Sequence, residues 1–440
     1  MTYEKIKTII LTILIVLSGF LTWNIWTFQP KYETMEIEKP VNEVAIGSKK
    51  EVRNVVKPNQ VIFHTAGTQY GTVDNAEIDA IINLIGKWKY YDVKKLSDSR
   101  SGLSNALEAG QYTEIIFPDR IPVELYKKVL NFEDQNLPKF EFDRIIVNAK
   151  AGEGQEGTVY FYATKSEESY IVNVSLAAIS EFSEAFYHKA NSYNPYFAYE
   201  LENNKTIYLP LNRTDMKSYT YYLNPIEPEQ LKDALFRDPS FVQKSFVTEG
   251  EEYTDEASKM TVNNLTNMIL YVNPFRESEA VIGTESIIQK SIEFINGHSG
   301  WTDPFRYVYK DDFNQQVIFR MYSDEGYPIF NQIGLSEIIQ EWGQTEIKHY
   351  VRPSFSLELL INPEMPMETM PSGEEIIAKL TAKEELDPAL FDDLTLGYYM
   401  EKESRDSSAI SLKPGWFYQY DGIWFELSLD ENEEVYNGLE

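Results

Sequence analysis

Apolar residues fall into one long unbroken run and many short periodic ones. The long run is Thr8 to Phe28 (TIILTILIVLSGFLTWNIWTF), about 21 residues without a formal charge. At ~1.5 Å per residue, a helix of that length crosses the ~30 Å hydrocarbon core of a bilayer, so 8–28 reads as one transmembrane helix. Lys5 and Lys7 precede it with only Glu4 as offset, which predicts residues 1–7 as a cytoplasmic tail and the rest of the chain outside. Trp23, Trp26 and Phe28 crowd the far end, where amphipathic rings favour the headgroup level. The alternative, a cleaved signal peptide, fits less well. The run exceeds an h-region of ~7–15 residues and no A-x-A-like site follows, so a retained signal-anchor is expected.

Within the run, Thr8, Thr12, Ile15, Gly19, Thr22 and Trp26 are spaced by 4, 3, 4, 3 and 4. At ~100° per residue they share an arc of roughly 80°. Small and hydroxylated residues let helices approach closely in lipid, so this face is a candidate transmembrane interaction face. The competing reading is that the threonines bond their own backbone and face lipid.

After the run the pattern turns polar over 29–56, with Pro30 and Pro40, which predicts a stalk. Residues 57–190 read as an α/β domain. Val61–Thr65, Trp88–Val93, Thr113–Pro118 and Phe142–Asn148 are strand-like, and Thr158–Thr164 with Tyr170–Ser175 reads as a hairpin. Asp74 caps a helix with the stripe Ile78, Ile81, Ile82 and Ile85. Further helices are expected near Leu103–Ala109, Val123–Leu130 and Leu176–His188. A central domain, 191–275, holds strands at Thr206–Leu211 and Tyr219–Leu223, a helix opened by Pro228, and the hairpin Lys259–Val262/Met268–Val272.

The third region, 276–430, reads as a repeated helix-then-hairpin unit. Thr284–Ile295 leads to Phe305–Tyr309 and Gln316–Tyr322. Gly373–Leu380 leads to Leu394–Met400, Trp416–Tyr420 and Ile423–Leu429. Strands Ser336–Trp342 and Thr345–Val351 lie between, and Asn362–Pro371 (NPEMPMETMP) reads as a loop. An acidic tail, 431–440, follows. The fold class expected is α+β: one N-terminal transmembrane helix, then a multi-domain ectodomain of mixed sheets and helices.

Composition narrows the partners. The formal charge is −29, and with a tail at +1 the remainder carries −30. Such a body repels nucleic acid and anionic lipid. There is no cysteine, so neither a disulfide framework nor a lipoprotein site nor a thiol nucleophile is available, yet 43% hydrophobic content supplies ample core.

Chemistry is sparse. The four histidines, His64, His188, His298 and His349, are too far apart in sequence for an HExxH-type metal site. His64 beside Thr65 and Gly67 is the best catalytic candidate, and the simpler reading is a hydrogen-bonded histidine at a strand end. Neither GxSxG nor SxxK occurs. Gly152–Gly157 (GEGQEG) matches GxGxxG, but a β-rich segment follows and two glutamates would repel a pyrophosphate, so a hairpin loop is expected instead. Acid pairs such as Asp311-Asp312 and Asp324-Glu325 suit a glycosidase only if they flank a substrate bond. No catalytic, cofactor-binding or metal residue is assigned, and no cofactor is expected.

Leu21–Pro30 (LTWNIWTFQP), with the flanking lysines and the long acidic body after it, resembles the N-terminus of the YycH family. The C-terminal Pro414-Gly415-Trp416-Phe417-Tyr418 and Trp424 are similar to units shared by YycH and its relative YycI. The resemblance implies a bitopic membrane protein and not an enzyme. With YycI, such proteins associate with the sensor histidine kinase YycG (WalK), which controls cell-wall metabolism through its response regulator. The direction of control differs among members, and the family has no catalytic residues to carry over. The alternative from the residues alone is an extracytoplasmic cell-envelope enzyme or glycan-binding module.

Overall fold

The structure is a computed structural model. It describes residues 11–12, 14, 17–19, 23, 46–96, 111–148, 156–274, 286–344, 346–361, 365–383, 386–402 and 407–429. The chain forms two compact units, Met1–Asn42 and Glu43–Glu440. In the first unit the described residues, from Leu11 to Trp23, are helical and exposed. Among the described residues, no helix is long and apolar enough to cross a membrane. Most of the run 8–28 lies outside them, as do the helix expected near Leu103–Ala109, most of the GxGxxG loop and the acidic tail.

The second unit is strand-rich. Its first sheet has ten strands in the order Thr206–Pro210, Asn194–Glu200, Thr68–Thr72, Gln60–Thr65, Tyr112–Pro122, Glu141–Asn148, Gly157–Ala163, Glu168–Val174, Lys89–Lys95 and Asn131–Phe132. Neighbours are antiparallel except the last pair. Strand periodicity separates the two faces. Val61 and Phe63 join the main core with the helix Asn75–Ile85, while Ile62 packs with Tyr196 and Tyr208 on the other side. That helix starts where expected because the Asp74 carboxylate accepts the Ala76 and Glu77 amides. Its buried stripe Ile78, Ile81, Ile82 and Ile85 contributes roughly 1.5–3 kcal/mol per side chain. The helix expected over Val123–Leu130 is one turn, Val123–Tyr126.

A second, antiparallel sheet of eight strands runs Gln243–Val247, Gly250–Thr254, Lys259–Asn263, Met268–Val272, Ile347–Pro353, Glu337–Trp342, Gln316–Met321 and Phe305–Asp311. The helix Ile287–His298 packs on it: Trp342 Nε1 donates to Ser291 Oγ at 2.8 Å, and Phe294 meets Trp342 and Tyr350 edge-on. The third sheet runs Ile329–Phe330, Phe391–Lys402, Ala409–Tyr420, Tyr219–Pro225 and Phe355–Leu360, with Ile423–Glu426 turning off Ala409–Tyr420. The helix Gly373–Thr381, closed by a Ser372/Glu375 capping box, precedes its long hairpin.

Strand pairings cross the expected boundaries, and the loop expected over Asn362–Pro371 is corrected. Asn194–Glu200, just past the expected boundary at 190, pairs with Thr68–Thr72 in the first sheet. Met268–Val272, just before the expected boundary at 275, pairs with Ile347–Pro353 in the second sheet. Strands of 191–275 are thus shared among sheets rather than forming a sheet of their own. Within the NPEMPMETMP segment, Met367–Met370 is a strand paired with Thr214–Lys217, a partner about 150 residues away that no local pattern announces.

Candidate functional site

Residues 46–56, expected to belong to the stalk, are part of the body. Val52, Val55 and Val56 are buried, and the spacing of three and four was the available signal. The segment 46–50 lies across the loop that follows the helix Ile287–His298. The Ile46 and Gly47 amides donate to Ser299 O at 3.1 and 2.8 Å; Ser48 and Trp301 exchange backbone bonds of 3.1 and 2.9 Å. Backbones meet so closely that a Cβ on Gly47 would lie 2.4 Å from the Trp301 carbonyl, and one on Gly300 2.4 Å from Gly47 O. Gly300 also has φ +74°, a left-handed conformation that glycine adopts freely.

Asn296 pins this segment. Its Oδ1 accepts the Lys50 amide and the Trp301 indole N–H, each at 2.9 Å, and its Nδ2 donates to Lys50 O at 2.9 Å. The Lys50 ammonium donates to Asp303 O at 2.7 Å. Burial pulls the Lys50 pKa down to about 8, partly offset by the Asp303 charge. Burial in turn pushes the Asp303 carboxyl up, against the Leu357 amide that it accepts. Beneath the loop the Arg352 guanidinium is fully buried and donates to Ser299 Oγ at 2.6 Å and Thr302 Oγ1 at 3.1 Å. The arrangement joins the entry of the body to the second sheet through one polar knot. The sequence pattern does not announce this arrangement, because the partners lie about 250 residues apart.

His64 lies on the face of the first sheet away from the helix Asn75–Ile85. It is 6% exposed and stacks on Tyr112 with ring centroids 4.0 Å apart. Its Nε2 is 3.7 Å from Glu114, whose other oxygen accepts Arg144 Nη1 at 2.8 Å. Tyr208 OH donates to Glu114 at 3.2 Å. Burial lowers the His64 pKa, so the ring is neutral near pH 7. The ion pair here is Arg144 with Glu114; His64 is buried against it, and its Nε2 makes no hydrogen bond to any described residue, unlike the hydrogen-bonded histidine that the simpler reading expects. The other histidines are apart from it: His188 beside Glu184, His298 stacked on Phe294, His349 on Glu341.

Among the described residues, no group of three His, Asp or Glu side chains is placed to hold a metal ion. Asp311 accepts the Phe313 and Asn314 amides of a turn, Asp312 pairs with Lys310, and Glu325 accepts Tyr219 OH. Gly157 opens a strand, which removes the helix a GxGxxG site requires. A groove of about 480 Å³ over the third sheet is lined in part by Ser218, Glu368, Glu401 and Lys413. These groups bond one another, Lys413 to Glu401 at 2.6 Å and Ser218 to Glu368 at 2.5 Å. Of the residues expected to form a transmembrane interaction face, Thr12 and Gly19 are described, both helical and exposed, and no described residue lies within 4 Å of a Cβ on Gly19. Thr8, Ile15, Thr22 and Trp26 lie outside the described residues.

The fold is that of a mixed α+β body dominated by antiparallel sheets. It is similar to the crystal structure of YycH from Bacillus subtilis, with a TM-score of 0.74 at 20% identity over 88% of this chain and 99% of that one. The family model for the YycH protein N-terminal domain matches residues 4–191, and that for the C-terminal domain matches 204–434. The chain belongs to the YycH family. A curated relative, the two-component system WalR/WalK regulatory protein YycH of Bacillus subtilis (strain 168), is 24% identical, covering all of both chains.

Proposed function

We propose that this chain is a membrane-anchored accessory regulator of the sensor histidine kinase in a WalR/WalK-type two-component system. The observation that carries the proposal is the end-to-end relationship to a WalR/WalK regulatory protein. In this reading the N-terminus is cytoplasmic, residues 8–28 span the membrane, and the body acts outside by protein–protein contact, together with a YycI-like protein. An outside body biases a kinase only through free energy that differs between two kinase states. In this reading part of that free energy passes between helices in the membrane. The face Thr8, Thr12, Ile15, Gly19, Thr22 and Trp26 is the proposed contact. Co-purification of the full chain with the kinase from detergent, and digestion of the body by protease added to intact protoplasts, test the two halves of the reading. Full protection of the body would overturn the orientation; a kinase that never co-purifies would overturn the partnership.

A further inference from the structure

The second sheet ends in the strand Gln243–Val247, all five residues of which are exposed. Its inner side pairs with Gly250–Thr254 in unbroken register. Following cross-strand pairs outward, one row of the core-facing side reads Ile269, Val262, Glu251, Phe246, and the next reads Tyr271, Met260, Tyr253, Lys244. Ile269, Val262, Tyr271, Met260 and Tyr253 are buried, and then the cover stops: Phe246 is 80% exposed, and Phe241 at the strand's entry 77%. The core-facing surface is therefore one strand wider than its cover.

Natural sheets blunt such an edge with a lysine, a proline or a bulge. This strand has no proline and no bulge. Its one lysine is folded back, with Lys244 Nζ 2.9 Å from Glu251 and 3.3 Å from Glu229, over the rings of Phe246 and Tyr253. The surrounding charge specifies what fits. Residues 227–259 hold nine carboxylates and four bases. All four bases are already paired: Lys232 with Glu229, Arg237 with Glu346, Lys244 with Glu251, Lys259 with Glu252. A second copy of this edge would bring the same surplus of acids, and anionic lipid would be repelled likewise.

We propose that Gln243–Val247 is a β-augmentation site for an extended segment of a partner protein, apolar at alternate positions and carrying Lys or Arg between them. The main chain of the incoming strand completes the sheet as a ninth strand, its apolar side chains continue the Phe246 row, and its cations meet the unpaired carboxylates. The identity of the partner, kinase or YycI-like protein, rests on the function proposed above.

The test uses the full-length chain in detergent with the full-length kinase and YycI-like protein of the same organism. Phe246→Asp should lower the retained partner about tenfold or more, as for a truncated central contact. Phe246→Leu should retain it. Phe313→Asp, which alters an equally bare aromatic beyond the opposite end of the same sheet, should have no effect. Since Phe246 is exposed, an unchanged melting temperature verifies folding. A photo-crosslinking residue at 246 should mark a basic, alternating segment of one partner, and the same residue at 313 should not. Equal retention by Phe246→Asp and wild type, or equal crosslinking at 246 and 313, overturns the edge assignment and leaves the regulatory reading standing. If the wild-type chain retains neither protein, the regulatory reading fails and takes this proposal with it.

Discussion

Replacing Asn296 by alanine should release the segment 46–50 while leaving the body folded. The change removes three hydrogen bonds of 2.9 Å, two to Lys50 and one from the buried Trp301 indole. At a net ~0.5–1.5 kcal/mol each, the docked state loses roughly 1.5–4.5 kcal/mol. That multiplies the open population by roughly ten to two thousand. The backbone bonds to Ser299 and Trp301 remain, so the docked state persists but opens more often. Hydrogen exchange read by mass spectrometry gives the opening free energy of 46–50 separately from that of the sheet. Protection should fall in 46–50 and stay constant in the strand Ile347–Pro353. The wild-type segment should also respond to pH. The Lys50 pKa is about 8 when docked against 10.5 as a free side chain, so between those values the released segment binds more protons than the docked one. Docking therefore tightens as pH rises from 8 to 10.5 and is flat above. Protection of 46–50 unchanged by Asn296→Ala, or a loss spread equally over the second sheet, would refute the assignment of Asn296 as a local pin.

Glu114→Gln should destabilise the body by about 3–5 kcal/mol in urea unfolding, because Arg144 stays buried without its carboxylate, whereas Glu114→Leu with Arg144→Met should restore most of the loss. His64 has a folded pKa below its unfolded value of about 6.5, so its contribution is complete above that pH and is lost as pH falls toward the folded value. His64→Ala should flatten that acid limb while leaving a cell-wall gene reporter unchanged. In the proposed membrane helix, Thr12→Leu, Gly19→Leu and Thr22→Leu together should uncouple the kinase, and the opposite-face triple Ile10→Val, Leu14→Val and Leu17→Val should not. Single contacts of this kind are worth only ~0.6 kcal/mol, hence the triples, and equal reporter output from both would remove the face from consideration.

Local pattern carried most elements. Strands such as Phe142–Asn148 and the helix under Asp74 declare themselves, because one face is dry and the other wet. What pattern missed has a common cause. Gln243–Val247 is wet on both faces and shows no alternation. Met367–Met370 owes its strand state to Thr214–Lys217, and the sheets cross residues 190 and 275 through pairings of distant segments. The Asn296 knot is invisible for the same reason: Gly47, Lys50, Trp301 and Arg352 gain meaning only when brought together.

That distance also sets a clock. Ribosomes make the chain from its N-terminus, so residues 46–50 exist before anything they bind. Lys50 must wait 246 residues for Asn296. At ~5–20 residues per second the delay is roughly 12–50 s. Throughout it the Ile46, Gly47 and Ser48 amides lack their native carbonyl partners. A nascent chain stalled before residue 296 thus carries an entry segment with nothing to hold it, whatever the state of its first sheet.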